Sequence, residues 1–187
     1  MKRLTEQVHD ILAEHLQSGD VVVDGTLGTG RDAVFLANAV GESGKVYAFD
    51  VQDDAMFFAG QRIESAKLRN IVCIQDCHSR MLAHLPDTDH GRVAAVVFNL
   101  GYLPGGDPDV MTQSGTSTAA IRTSYELLRV GGVLSVLAYV GHPGGSEEAE
   151  LVNAAMSELP GVSWIRQDPA TTGSNSPRVL GLQKQSL

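Results

Sequence analysis

Apolar positions along this chain recur in two rhythms, and the rhythms alternate. Leu4, Val8, Ile11, Leu12 and Leu16 fall at helical spacing and predict an amphipathic helix over 2–17, ended at Ser18-Gly19-Asp20. Val21-Val22-Val23 is a short apolar run of the kind a buried strand shows, and Ala33 opens a helix running to about residue 40. After a loop at 41–44, Lys45 to Asp50 predict a second strand, 53–67 a helix and 70–75 a third strand. A short helix over 79–85 and a polar loop at 86–91 lead into 93–98, a continuous apolar run that suits a strand covered on both faces. Residues 99–115 read as a long loop rich in Gly and Pro, and a loop of that length inside a compact domain usually carries function. A helix over 117–129, a turn at Gly131-Gly132, a strand over 133–140, a loop at 141–145 and a helix over 146–159 follow. Two strands, 162–166 and 178–183, close the chain around a Thr-, Ser- and Gly-rich loop at 167–175.

Strands alternating with helices predict an α/β, Rossmann-like fold. The sheet should be mainly parallel and seven-stranded, with helices on both faces and an antiparallel C-terminal edge. The 187 residues are expected to form a single domain, with the N-terminal helix of 1–19 packed on it.

Composition narrows the class. At 43% hydrophobic the chain is an ordinary globular one, and no apolar run reaches the length of a membrane span. The first residues lack the apolar core of a signal peptide. The two cysteines, Cys73 and Cys77, suit a reducing compartment better than a disulfide framework. A cytoplasmic protein with no membrane association is the expectation. Cys77-His78 has no second ligand pair, so no metal is expected.

The net charge of −8 argues against a broad RNA-binding surface, but not against a local one. Arg62, Lys67, Arg69 and Arg80 gather in one stretch. No Lys or Arg lies between Arg129 and Arg166, where Glu147, Glu148, Glu150 and Glu158 sit. That helix reads either as a face turned away from RNA or as a plain solvated acidic face, so charge reversal at Glu147 and Glu148 should matter little.

The candidate chemistry begins at the glycine turn, Asp24-Gly25-Thr26-Leu27-Gly28-Thr29-Gly30-Arg31-Asp32. Its glycines let backbone approach a ligand closely. Residues 28–33 formally fit the dinucleotide fingerprint, but the fingerprint glycine arrives four residues late. Asp24 and Asp32 would also set carboxylates against a pyrophosphate that a helix N-terminus should attract. S-adenosylmethionine carries an ammonium and a sulfonium and no phosphate, and acidic residues around a glycine turn suit it. The plainer alternative is a helix-capping loop with Asp32 as a first-turn carboxylate.

Ligands in such folds bind beyond the carboxyl ends of the strands, where this chain repeatedly places polar residues. Asp50 ends the second strand and could accept both hydroxyls of a ribose, and Gln52 sits just beyond it. Asp76-Cys77-His78 ends the third strand. Asp76 could accept an adenine amino group and the Cys77 N–H could donate to the ring. His78 is a ligand contact, a proton carrier or a helix cap. Asn99-Leu100-Gly101-Tyr102 ends the fourth strand and resembles the Asn-Pro-Pro-Tyr motif of amino-group methyltransferases. There an amide oxygen and neighbouring carbonyls would accept hydrogen bonds from an acceptor amine and aim its lone pair at a methyl group. An aromatic ring beside them holds a base by stacking.

The glycine turn, the nonapeptide Asn99-Leu100-Gly101-Tyr102-Leu103-Pro104-Gly105-Gly106-Asp107 and Gly141-His142-Pro143-Gly144-Gly145 together resemble one family. It is the bacterial rRNA-methylase family of class I S-adenosylmethionine-dependent methyltransferases, which includes tRNA 5-aminomethyl-2-thiouridine methyltransferases. The resemblance covers about 20–185. Gly25, Thr29 and Arg31 stand where the family commonly has Ala, Asn and His, and its C-terminal segment is poorly matched by 167–177.

The resemblance implies a methyl transferred to the aminomethyl nitrogen of a wobble uridine in tRNA. The candidate cofactor residues are Asp24, Thr26, Gly28, Thr29, Gly30, Asp50, Gln52, Asp76, Cys77 and His78. Asn99 and Tyr102 are the candidate catalytic pair, and Leu100, Gly101, Pro104 and His142 candidate substrate contacts. His78, His142 or solvent would take the proton that the acceptor amine must lose. The partner would be RNA, and a homodimer would enlarge the surface offered to it. The rivals are a small-molecule or rRNA methyltransferase, a nicotinamide oxidoreductase, and a cofactor-binding module without catalysis.

Overall fold

The computed structural model describes residues 2–103, 105, 111–169 and 175–187. Five strands run parallel in the order β3-β2-β1-β4-β5: β1 is Val21–Asp24, β2 Lys45–Asp50, β3 Ile71–Gln75, β4 Val93–Leu100 and β5 Leu128–Ala138. The last strand, β7 (Arg178–Lys184), runs antiparallel between β5 and β6 (Val162–Gln167). The expected antiparallel edge is present, with β6 at the rim.

The apolar runs divide between two faces because successive strand residues point to opposite sides. Val23, Val96 and Phe98 face a core shared with α4 (Met81–His84), α5 (Ser114–Leu127) and α6 (Gly145–Ser157). Val22, Ala95 and Val97 face a core shared with α1 (Leu4–Ala13), α2 (Arg31–Val40) and α3 (Asp53–Ser65). The strand order reverses between β1 and β4, which opens a crevice beyond their carboxyl ends. No described helix is long and apolar enough to cross a membrane.

The departures from the pattern lie at element ends. The first helix is shorter than 2–17, and the chain turns after Ala13, where the Nδ1 atom of His15 meets the Ile11 carbonyl at 2.8 Å. Leu16 keeps its place against the core from beyond the helix. The second helix starts at Arg31, because left-handed Gly30 (φ 77°) already reverses the chain there. Strand β5 begins at Leu128 and not at 133. Gly131-Gly132 is an irregularity within it, across which the pairing jumps from Val93–Leu128 to Ala95–Val133. The long loop is shorter than 99–115, since β4 continues to Leu100 and α5 starts at Ser114. Tyr102 and Met111 form an isolated antiparallel bridge within it.

Gly25 follows β1 directly, and its N–H donates to Val97 O (2.8 Å). A Cβ at this position would lie 2.2 Å from Cε1 of Phe98, a ring that is 2% exposed. Gly25→Ala should therefore destabilise the protein by about 1–3 kcal/mol, the usual cost of overpacking. In the double variant with Phe98→Leu the loss should fall short of the sum of the two single losses, as checked by urea unfolding of all three.

Candidate functional site

The glycine turn is held by its surroundings. After the bond from Gly25, the Thr26 N–H donates to Asp24 Oδ1 (3.0 Å) and the Leu27 N–H to the Phe49 carbonyl (2.8 Å). The Gly28 N–H donates to Asp50 Oδ2 (2.8 Å), and Asp50 Oδ1 accepts the Gln52 N–H (3.1 Å). On the outer side, the Arg62 Nε–H donates to the Thr29 carbonyl (2.7 Å), so one member of the basic stretch braces this turn.

Above the turn lies a cleft of about 720 Å³. Of the sequence-predicted residues, Thr26, Gly28 and Thr29 form one wall, Asp50 and Gln52 another, and Asp76, Cys77 and His78 a third. Asn99, Gly101 and Tyr102 line the side towards α5. The crevice thus gathers residues from the ends of four strands.

Several expected residues have other places. Asp24 is 0% exposed and lies behind the turn. Burial, and then the nearby Asp32 and Asp50 charges, push its carboxyl well above the usual carboxylate range, and its Oδ2 has no partner among the described residues. Gly30 is buried where a Cβ would come within 3.0 Å of Ala59. The Cys77 N–H does not face a ligand, because Asp76 Oδ1 accepts it at 2.7 Å. The side chain of Leu100 is buried in the core. The backbone carbonyls of Leu100 and Gly101 already accept the N–H groups of Tyr139 and Thr112, both at 2.9 Å. His142 stands behind Tyr102, edge to face with ring centroids 6.1 Å apart. Pro104 lies outside the described residues, as do Gly106 and Asp107 of the nonapeptide.

His78 is neither a helix cap nor an exposed base. Its Nδ1–H meets the Gly25 carbonyl at 3.0 Å, its ring packs edge-on against Phe98, and its Nε2 is buried without a partner among the described residues. Burial holds its pKa below the usual histidine value, so it is the neutral imidazole at pH 7. Asp76 is shifted downward, first by its hydrogen bond with His84 (2.6 Å) and then by the Cys77 N–H.

Asn99 is held at two points. Its N–H donates to Thr26 Oγ1 (2.7 Å), and its side-chain amide Nδ2 donates to Asp32 Oδ2. The other oxygen of Asp32 lies 2.7 Å from His9 Nε2 on α1. Thr5, one turn earlier on α1, and Tyr139, just past β5, also line the cleft. Periodicity does not reveal these partners. Each is a single polar residue far from Asn99 in sequence.

The acidic helix is not one solvated face. Glu148 is 3% exposed and accepts Thr112 Oγ1–H (2.7 Å) and Ser117 Oγ–H (2.6 Å). Thr112 Oγ1 in turn accepts the Gly101 N–H (2.9 Å), so Glu148 anchors the backbone beside Asn99. Glu150 pairs with Arg178 (2.6 Å) and Glu158 with Arg122 (3.4 Å), and of the two acids in the first turn Glu147 is the exposed one.

A mainly parallel seven-stranded sheet with this crevice at its switch point is the fold of class I, S-adenosylmethionine-dependent methyltransferases. The family model described as "Putative rRNA methylase" matches residues 46–181, and the chain belongs to that family. A chloroplastic tRNA (mnm(5)s(2)U34)-methyltransferase of Arabidopsis thaliana is 38% identical over 173 residues. The match takes in 88% of this chain but 62% of that protein's length. A Clostridium thermocellum crystal structure bearing the same family description superposes with a TM-score of 0.90 at 34% identity, covering 98% of both chains. A Streptococcus mutans crystal structure described as "a putative methyltransferase" in complex with SAH gives a TM-score of 0.84 at 31% identity, over 98% of this chain and 99% of that one.

Two measurements test the buried carboxylates. Glu148→Ala should cost about 1.5–3 kcal/mol, the scale of hydrogen bonds lost to a charged group, whereas Glu147→Ala should stay within about 0.5 kcal/mol in denaturant unfolding. Asp24 is raised in the folded state, so the native protein binds its proton more tightly than the unfolded chain does. Its contribution is therefore fully present below the unfolded pKa near 3.9 and is lost as pH rises through the raised folded value. Asp24→Asn keeps an acceptor for the Thr26 N–H and should melt higher than wild type at pH 8, with the difference shrinking towards pH 4.

Proposed function

We propose that this protein transfers a methyl group from S-adenosylmethionine to an RNA amino group, the aminomethyl nitrogen of a modified wobble uridine in tRNA. The observation that carries this reading is the setting of Asn99. Its amide nitrogen is occupied by Asp32, which leaves Oδ1 to accept a hydrogen bond at the end of β4, in the cleft that holds Asp50. The name of the Arabidopsis relative supplies the nucleoside, and the resemblance of the Asn99-to-Tyr102 stretch to amino-group methyltransferases supplies the acceptor atom.

The donor set fits the cofactor. Both oxygens of Asp50 are fixed by backbone N–H groups, and their remaining lone pairs would take the two ribose hydroxyls. Asp32 and Asp50 with few cations between them favour a ligand bearing an ammonium and a sulfonium. Bound there, S-adenosylmethionine supplies an activated methyl group. Asn99 Oδ1 would hold an N–H of the acceptor so that the nitrogen lone pair faces that group. Tyr102, 55% exposed and backed by His142, would stack on a base. Gain from positioning is then the main source of rate. The exposed Arg62, Lys67, Arg69 and Arg80 offer few phosphate contacts, so a shallow salt dependence belongs to this reading.

Radiolabelled S-adenosylmethionine incubated with bulk tRNA, rRNA and small metabolites should label the tRNA fraction, and nucleoside digestion should place the label on the wobble uridine. Label in rRNA or a small molecule would replace the substrate. Asn99→Ala should bind the cofactor within a few fold of wild type in calorimetry but lose about 10²-fold in single-turnover rate. Tyr102→Ala should raise the apparent KM for RNA by the ~1–3 kcal/mol of a lost base stack, and Tyr102→Phe should keep most activity. An Asn99→Ala protein that is less stable yet fully active would sink the catalytic role.

A further inference from the structure

An asparagine amide can present either its oxygen or its NH₂ group to a ligand, and the two orientations are opposite in chemistry. Asp32 decides between them here. An ionised carboxylate only accepts, so the Asn99 side-chain edge that faces it must be the NH₂ edge. The oxygen edge is then the one left for a ligand. The main chain cannot swing away to compensate, because the Asn99 N–H is tied to Thr26 Oγ1 at 2.7 Å.

Asp32 is itself held. Its second oxygen lies 2.7 Å from His9 Nε2, with the His and Asp side chains 24% and 16% exposed. The His9 ring stacks on Phe35, with centroids 3.8 Å apart and an interplanar angle of 1°. Phe35 and Asp32 lie three residues apart on α2, one turn from each other. His9 is thus gripped by that helix through ring and nitrogen together.

We infer that His9 and Asp32 are positioning residues that fix the Asn99 amide in the orientation that offers its oxygen to an acceptor amine. The N-terminal helix, whose Thr5 also lines the cleft, thereby acts on Asn99 through Asp32. This inference rests on the proposed amine substrate, but the network it describes can be tested without that substrate.

His9→Phe keeps the stack on Phe35 and removes the ring nitrogens. His9→Gln restores a donor towards Asp32. Asp32→Asn can turn an NH₂ group towards Asn99 and removes the obligate acceptor. Single-turnover methylation at saturating cofactor should fall about tenfold in His9→Phe, with cofactor affinity and apparent KM for RNA within about threefold of wild type, and about 10²-fold in Asp32→Asn, whose lost charge also weakens cofactor binding. His9→Gln should recover most of the His9→Phe loss. The double variant His9→Phe with Asp32→Asn should be no slower than Asp32→Asn alone, because His9 acts only through Asp32.

The readout that needs no activity is the Asn99 side-chain amide in ¹⁵N NMR, assigned by its loss in Asn99→Ala. Its signals should shift and exchange faster with solvent in His9→Phe and return in His9→Gln. Losses that add in the double variant, an Asn99 amide signal unmoved by His9→Phe, or cofactor affinity falling in step with rate in His9→Phe would each overturn the inference. If wild type labels no RNA, the proposed substrate fails while the NMR comparison still decides the network. If Asp32→Asn does not fold, the two His9 variants carry the test.

Discussion

The turn between β1 and α2 must leave the sheet without leaving its N–H groups bare, and most of the site follows from how that is solved. A buried backbone donor with no acceptor is costly. Four consecutive N–H groups, from Gly25 to Thr26, Leu27 and Gly28, find four different acceptors: the Val97 carbonyl, Asp24, the Phe49 carbonyl and Asp50. Two of these acceptors are strand backbone and two are carboxylates. The turn is thereby fastened to β4 on one side and β2 on the other. Its approach to β4 is close enough that Phe98 occupies the space a side chain at Gly25 would need. Asp50 enters the cleft already oriented, because the same bonds that hold the turn hold the carboxylate.

The same economy explains the acidity of the chain. Its net charge of −8 suggests a repulsive surface for RNA, yet several carboxylates are internal fittings. Asp24 is buried behind the turn, Glu148 anchors Thr112 and Ser117, and Asp20 takes two hydrogen bonds from Arg129 at 2.6 and 3.1 Å. Asp32 is shared between His9 and Asn99. Charges tied up in this way shape the cleft more than they shape the outer field. The exposed basic stretch from Arg62 to Arg80 consequently counts for more than the total suggests, although Arg62 and Arg80 are each partly engaged, with the Thr29 carbonyl and with Asp76.

Two carboxylates flank the Asn99-to-Tyr102 stretch, the buried Glu148 acting through one further polar group and the partly exposed Asp32 directly. From α6, Glu148 reaches the Gly101 N–H through Thr112. From α2, Asp32 holds the Asn99 amide and is in turn braced by His9 of α1. The end of β4 is therefore supported from both faces of the sheet, which suits a segment that has to hold an acceptor at a fixed distance from a methyl group.

The sequence by itself determined the alternation of strands and helices, the antiparallel closing pair, the glycine turn and the polar strand ends at Asp50, Asp76 and Asn99. These are local properties. Side-chain period, turn-forming residues and capping act over a few residues, and they can be read one stretch at a time. Element ends were less legible, as at Gly131-Gly132, where what looks like a turn is carried inside β5 as an irregularity against β4. Only the tertiary structure decided which polar groups pair. That Asp24 and Leu100 face the interior, that the Cys77 N–H is taken by its neighbour, that Glu148 is a buried anchor and that His9 reaches Asn99 through Asp32 are matters of partner choice. Apart from Cys77, the partners are brought together by packing from distant parts of the chain, and hydrogen bonds have no period along a sequence by which to announce them.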